Sequence, residues 1–150
     1  MFKDKLATFV QARRRDATLL TWFRFIRVLK KLLPQMDEHL RNWNLSQGQF
    51  DLLAEIAAEE GINQQTCANR LNVTKGNITQ HLSNLEQRGY IQREKLGRDN
   101  YVSLTDEGRA LFSTIMPAHD LYIKEILAPL TAEEIRQFAA ILRKLDRTLD

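Results

Sequence analysis

The sequence predicts a mainly α-helical, α+β fold in which a small two- to three-stranded ribbon follows a pair of short helices. Three observations predict it. Residues 63–105 read as helix, tight turn, helix and ribbon. Apolar residues recur at helical spacing through most of the remaining chain, and capping residues mark where the helices begin. At 150 residues and 43% hydrophobic, the chain suits a single domain, 1–150, with a real core.

In order, the first twenty residues are helix-compatible, with Leu6, Phe9 and Val10 on one stripe. The Arg13-Arg14-Arg15 run reads as a solvated face before it reads as a phosphate or membrane contact. Residues 19–42 form a long helix with Trp22, Phe23, Ile26, Leu29, Leu33, Met36 and Leu40 apolar, broken by Pro34, which removes a backbone donor and should kink it. That stripe is wider than one helix contact needs. The surplus reads as surface for a second copy, with intramolecular core as the alternative. Ser46 and Gln49 have capping-box spacing for a helix over 47–59 whose core face is Phe50, Leu53 and Ile56. Gly61 ends it, and Ile62 is placed to add a third strand.

In the first motif helix Cys67, Ala68 and Leu71 share a face, and Asn72 tolerates the left-handed conformation a sharp turn needs, with Val73 sealing it. Thr74 caps a second helix and Gly89 ends it. With Ile78 at zero degrees on a wheel, Leu82 and Leu85 lie within about 40 degrees of it, while Gly76, Asn77, Gln80, Ser83, Asn84 and Gln87 lie opposite. That outer face is amide-rich and nearly uncharged. Asn and Gln present a donor and an acceptor together, as adenine's major-groove edge requires, and Gly76 permits close backbone approach. A merely solvated amide face fits the helix equally well.

Residues 90–94 and 100–104 are β-prone, with Ile91, Val102 and Leu104 able to face the helices, and the turn Lys95-Leu96-Gly97-Arg98 is basic. Such a tip can reach phosphates or a narrow minor groove; a solvated hairpin tip is the plain alternative. Helix, turn, helix and ribbon together make a winged helix-turn-helix. Thr105 then caps a helix over 106–127, with Leu111, Ile115, Leu121, Tyr122 and Ile126 apolar and a second kink expected at Pro117. Pro129 stops it. Thr131 and Glu134 form a capping box for a last helix through Ile135, Phe138, Ile141, Leu142 and Leu145.

Net charge is only +3, so its distribution carries the argument. Residues 1–44 hold ten Lys or Arg against four acids and residues 63–105 six against three, whereas 45–62 hold four acids and no cation. A polyanion would bind the arm and the winged motif, with an affinity that falls as salt rises. No long apolar run or charged-then-apolar leader appears, so a soluble, cytoplasmic protein is expected. No phosphate loop, paired cysteine ligands or His-Glu-x-x-His pattern appears, and His39, His81 and His119 are scattered, so no enzyme activity, metal or cofactor is expected. The single cysteine, Cys67, cannot form an intramolecular disulfide and reads as a small core hydrophobe.

Residues 46–51, Ala68-Asn69-Arg70-Leu71-Asn72-Val73-Thr74, Leu85-Glu86-Gln87-Arg88-Gly89-Tyr90-Ile91, Leu104-Thr105-Asp106-Glu107-Gly108 and Leu130-Thr131-Ala132-Glu133-Glu134 occur in that order. The set resembles the landmarks of the multiple-antibiotic-resistance regulator (MarR) family over nearly the whole chain. The resemblance implies a homodimeric winged helix-turn-helix transcription factor, usually a repressor, often released from DNA by a small phenolic or other aromatic compound or by oxidants. It implies a dimerisation arm at 1–44, a DNA-binding region at 45–105 and C-terminal dimerisation helices at 106–150.

On that reading Asn77, Gln80 and Asn84 read bases on a near-palindromic operator, Thr74, Lys75, Thr79 and Arg88 hold phosphates, and Arg98 and Lys95 work the minor groove. The family often binds effectors in a crevice beside the reading domain, for which Trp22, His39, Trp43, Phe50 and Met116 are the candidates, each also ordinary core. One departure stands out. The family's wing carries an Asp two residues before the minor-groove Arg, but here that position is Leu96, leaving Arg98 to be steadied by Asp99 or Glu94. Two competing readings remain: a winged-helix protein-interaction module without sequence-specific DNA binding, and an oxidant sensor acting through Cys67.

Overall fold

The computed structural model describes residues 10–11 and 16–149. Leu6, Phe9 and the Arg13-Arg14-Arg15 run lie outside those residues; Val10 is helical and exposed. The chain forms two compact units, one ending at Gln47 and the other starting at Gly48.

In the first unit, helix α1 (Ala17–Leu40) begins where the Asp16 carboxylate accepts the backbone N–H groups of Thr18 and Leu19. Helix α1 runs through Pro34 as one long helix, as the apolar stripe predicts. Proline removes one N–H and frees the carbonyl four residues earlier, on Lys30, which is exposed and can turn to water. Leu40 is fully buried, whereas Trp22, Phe23, Val28 and Leu33 remain exposed. A 3₁₀ turn (Arg41–Trp43) follows, closed by Asn44 in the left-handed region (φ 55°). Asp37 then reaches forward to accept the Gln47 N–H at 2.9 Å.

Helix α2 (Gln47–Ala58) leads into the second unit and buries Phe50, Leu52, Leu53 and Ile56. After Gly61, β1 (Ile62–Asn63) adds the expected third strand, pairing with Val102 and Tyr101. Helix α3 (Gln64–Arg70) is capped by Asn63 and buries Cys67 and Ala68. It ends as its sequence predicts: Asn72 is left-handed (φ 51°), its N–H donates to Asn69 O, and the Val73 N–H donates to Ala68 O at 3.0 Å. This is a Schellman motif with asparagine in the glycine place.

Helix α4 (Lys75–Gln87) starts on the Thr74 hydroxyl, which accepts the Asn77 N–H, and buries Ile78, Leu82 and Leu85. Gly89 (φ 77°) ends it in a second Schellman motif, with the Tyr90 N–H donating to Leu85 O and the Gly89 N–H to Glu86 O.

Strands β2 (Ile91–Leu96) and β3 (Asp99–Leu104) pair antiparallel in the order β1-β3-β2, with Ile91, Val102 and Leu104 buried as expected. The wing differs in one respect. Pairing runs on through Lys95↔Asn100 and Leu96↔Asp99, so the turn is two residues, Gly97-Arg98, rather than four. Gly97 takes a positive φ (64°) and Arg98 does not, the pattern of a type II′ turn, whose twist matches that of the strands it joins.

Helix α5 (Asp106–Leu127) is capped by Thr105, whose hydroxyl accepts the Gly108 N–H at 3.0 Å and donates to Gly89 O. It too runs through its proline, Pro117, as one helix; Ser113, whose carbonyl that proline leaves without its helical partner, is an exposed residue. Helix α6 (Ala132–Asp146) opens on the Thr131/Glu134 capping box, where the Thr131 N–H and hydroxyl hold the Glu134 carboxyl below the usual carboxylate range. No residue of α6 is buried. Among the described residues no helix is long and apolar enough to cross a membrane.

Candidate nucleic-acid interface

Helix α4 has two faces of opposite character. Inward lie Ile78, Leu82 and Leu85; outward, Lys75, Gly76, Asn77, Gln80, Asn84 and Gln87 are exposed. The only carboxylate on α4, Glu86, is held by Arg93 of β2, whose Nε donates to Glu86 Oε2 at 3.0 Å and whose guanidinium keeps that carboxyl below the usual carboxylate range. The pair neutralises the one negative charge on the helix and ties α4 to the wing. Arg70 is likewise committed, donating to Glu59 at 2.7 Å and approaching Glu55. The outer face of α4 therefore presents amides and one lysine, and the helix itself contributes no unpaired carboxylate among the described residues.

The amides are not equivalent. Asn77 and Gln80 make no side-chain hydrogen bond among the described residues, so each keeps donor and acceptor for a partner. Asn84 is different: its Oδ1 accepts from Gln49 Nε2 of α2 at 2.9 Å, which commits one side of its oxygen within the protein and leaves its NH₂ free of that bond. Thr79 is different too. Its hydroxyl donates to Lys75 O at 2.7 Å and accepts from Gln64 Nε2 at 3.1 Å, so its one proton is already used and it offers a phosphate no donor. Thr74 is exposed at the helix start with its oxygen on the Asn77 N–H, and the Arg88 guanidinium lies over the Tyr90 ring, 5.0 Å from its centroid. His81 sits under the first turn of α2, where a Cβ at Gly48 would meet its Nε2 at 3.0 Å.

At the wing tip, Lys95, Leu96, Gly97 and Arg98 are all exposed. Neither Asp99 nor Glu94 forms an ion pair with Arg98, so the expected steadying carboxylate is not supplied among the described residues. The arginine stands free beside Leu96, which is 55% exposed.

The effector candidates divide between the units. In the first, His39 meets Trp43 edge-on at 5.5 Å while Trp22 is exposed; in the second, Phe50 stacks on Phe112 at 5.7 Å and lies 4.4 Å from the buried His119, while Met116 is exposed. Among the described residues no group of His, Cys, Asp or Glu is arranged to hold a metal.

Cys67 is fully buried, and burial first, then the Glu55 charge, pushes its thiol up to about 11. At neutral pH about one molecule in ten thousand then carries the thiolate that peroxide attacks. The native protein is expected to resist a chromogenic disulfide reagent over minutes that the urea-unfolded chain consumes at once. Prompt native labelling would restore the oxidant-sensor reading.

A helix-turn-helix with a type II′ wing, of which the outward helix carries free amides, is the geometry on which comparison with known proteins bears. The model of the MarR family matches residues 45–100. An uncharacterized HTH-type transcriptional regulator of Bacillus cereus is 33% identical over 105 residues, covering 69% of this chain and 71% of that one. The chain belongs to the MarR family. Its relatives are transcriptional regulators and not enzymes.

Among solved structures, Sco3205, a MarR family transcriptional regulator of Streptomyces coelicolor, in complex with DNA, aligns with a TM-score of 0.83 at 22% identity, over 87% of this chain and 86% of that one. PcaV of the same organism, in complex with its natural ligand, aligns at 0.70 and 24% identity over 82% and 92%. At these identities the likeness is one of fold.

Sequence reading missed three contacts that hold this MarR-type motif in shape: Gln49 with Asn84, Gly108 against Tyr90, and Glu60 with both the Leu104 N–H and Arg109. Only the second left a signal, a glycine inside the first turn of a helix, where it costs about 1 kcal/mol against alanine unless something needs the space.

Proposed function

We propose that this MarR-family chain is a homodimeric, sequence-specific double-stranded DNA-binding repressor of the cytoplasm. The observation that carries the proposal is the outer face of α4, where Asn77 and Gln80 keep unpartnered amides beside Lys75 while the free Arg98 and Lys95 stand at the wing tip. Asn77 and Gln80 read base edges, with Asn84 beyond them on the same stripe; Thr74, Lys75 and Arg88 contact backbone, whereas Thr79, whose proton is spent on Lys75 O, is dropped from the phosphate contacts; Arg98 and Lys95 probe the minor groove. The solved DNA complex of Sco3205 supports this reading. Two copies related by a two-fold axis set their α4 helices about one DNA turn, ~34 Å, apart, so the operator is near-palindromic. A small aromatic or phenolic effector releases the DNA, a step that the ligand complex of PcaV supports; the candidate contacts remain Trp22, His39 and Trp43 in the first unit and, separately, Phe50 and Met116 in the second.

Selection of bound genomic fragments, followed by titration of the selected duplex against random duplex, tests the proposal. Arg98→Ala is expected to weaken binding about tenfold and to lower the slope of log affinity on log salt by about 1, and Gln80→Ala to relax sequence preference. Adding phenolic acids to the bound complex tests the effector arm by release. Equal binding of selected and random duplexes overturns the reading and favours a protein-interaction module.

A further inference from the structure

Gln49 and Asn84 stand 35 residues apart in sequence, yet the side-chain amide of one closes on the carbonyl of the other at 2.9 Å. Packing around Gln49 brings the two side chains together. The first turn of α2 packs hard on α4, since even a Cβ at Gly48 would meet His81 Nε2 at 3.0 Å. Asn84 itself continues the outward stripe of Asn77 and Gln80 at positions three and seven residues on from the first, so what Gln49 grips is the far end of the amide row.

We infer that Gln49 is a positioning residue that sets the base preference of Asn84, by occupying its carbonyl and turning its NH₂ toward the DNA. The inference rests on α4 being the base-reading helix. A free asparagine offers donor and acceptor side by side and suits adenine, with its N6 donor and N7 acceptor. Asn84 has its oxygen turned toward Gln49 of α2, so although that oxygen keeps a second lone pair, the group the side chain turns the other way is its NH₂, and it presents donors first. Donors match guanine, which presents N7 and O6, or thymine through O4. They gain only one bond with adenine and face a clash of donors at cytosine N4. The row is thus mixed, with two two-way readers, Asn77 and Gln80, followed by one biased reader. The bias comes from a residue that sits on a different helix and need not touch DNA.

The test uses the full chain and its selected operator, with the base pair under Asn84 found as the position where Asn84→Ala loses discrimination. All four bases are then placed there and dissociation constants measured for wild type, Gln49→Leu, Gln49→Glu and Asn84→Asp, with each variant's melting temperature as a check on folding. Wild type is expected to favour guanine or thymine over cytosine at least tenfold. Gln49→Leu frees the Asn84 carbonyl, and the adenine-to-guanine affinity ratio should rise about tenfold. Gln49→Glu can only accept, so it takes the Asn84 NH₂ and turns the carbonyl outward, moving the preference to cytosine. Asn84→Asp, which keeps the Gln49 bond and offers a carboxylate oxygen outward, should move it the same way.

A role for Gln49 in packing alone would lower affinity for all four bases together and leave the ratios unchanged, which overturns the inference. So does a wild-type chain that selects an operator in which Asn84→Ala changes no preference. If wild type selects no sequence at all, it is the DNA-binding reading that fails.

Discussion

Replacing Gly108 with alanine is expected to destabilise the winged unit by about 3 kcal/mol or more, at the upper end of what overpacking costs. A Cβ at this position would lie 1.9 Å from the Tyr90 carbonyl oxygen and 2.8 Å from its carbon. Both are backbone atoms, so no rotamer change relieves the clash. The carbonyl cannot swing aside cheaply either, because it accepts the Thr105 N–H at 3.0 Å, while the Thr105 hydroxyl bridges Gly89 O and the Gly108 N–H. One short stretch therefore joins the end of α4, the start of β2 and the first turn of α5. For a chain of this size the loss corresponds to a fall in melting temperature of about 10 °C.

Gly76→Ala is the control. Nothing lies within 4 Å of its Cβ position, so the change should leave stability equal or up to about 1 kcal/mol higher. It should nonetheless weaken DNA binding if the α4 backbone approaches a groove wall there. A Gly108→Ala protein melting within two degrees of the parent would show that the α4–β2–α5 joint yields more easily than its hydrogen bonds imply.

What the sequence made legible divides along physical lines. Local chemistry was readable: Thr74, Thr105 and Thr131 cap where expected, Asn72 and Gly89 adopt the positive φ that their turns demand, and Ile78, Leu82 and Leu85 are buried as the wheel places them. These depend on neighbours within four residues, and the chain order contains all of them. The two helices that contain prolines run their full expected lengths, because the residues whose carbonyls the prolines free, Lys30 and Ser113, are exposed and water can take the lost partner's place. The wing was read two pairs too short because β-propensity sees Lys95 and Leu96 as turn-like, while the tight turn at Gly97-Arg98 lets pairing continue to the tip.

The amide row was visible as composition, but its internal differences were not. That Asn84 and Thr79 are partly committed depends on Gln49 and Gln64, brought up by tertiary packing from α2 and α3. Charge was legible in number and not in pairing. Six cations in residues 63–105 suggested a basic patch, yet Arg70 and Arg93 are spent on Glu59 and Glu86. Among the described residues the cations left exposed and outside any ion pair, Lys75 at the start of α4 and Lys95 and Arg98 at the wing tip, are among those the proposal assigns to the duplex, the other being the half-buried Arg88 over Tyr90.

A charge placed in the apolar stripe of α6 is expected to have the largest effect on DNA binding of any single change away from α4. Ile135, Phe138, Leu142 and Leu145 recur at alternating three- and four-residue steps, the spacing of a helix seam, and each is 38% exposed or more, as is Ile141 beside them. In α1, Trp22, Phe23, Val28 and Leu33 are exposed as well. So much exposed apolar surface on two helices of one small chain suits the proposed homodimer. With α6 in the seam of that dimer the same stripe lies on both copies, so Phe138→Glu would introduce two carboxylates at once where water is excluded.

The expected result is a monomer by analytical ultracentrifugation whose affinity for the palindromic duplex falls at least 100-fold, because the second half-site is no longer bound at high effective concentration. Its affinity for a single half-site should stay within about threefold, since α6 buries no residue on which α4 or the wing depends. A Phe138→Glu protein that remains dimeric would take α6 out of the interface. One that becomes monomeric yet holds the full operator as tightly as the parent would mean that each chain reads DNA alone, and the two-fold arrangement would have to be abandoned.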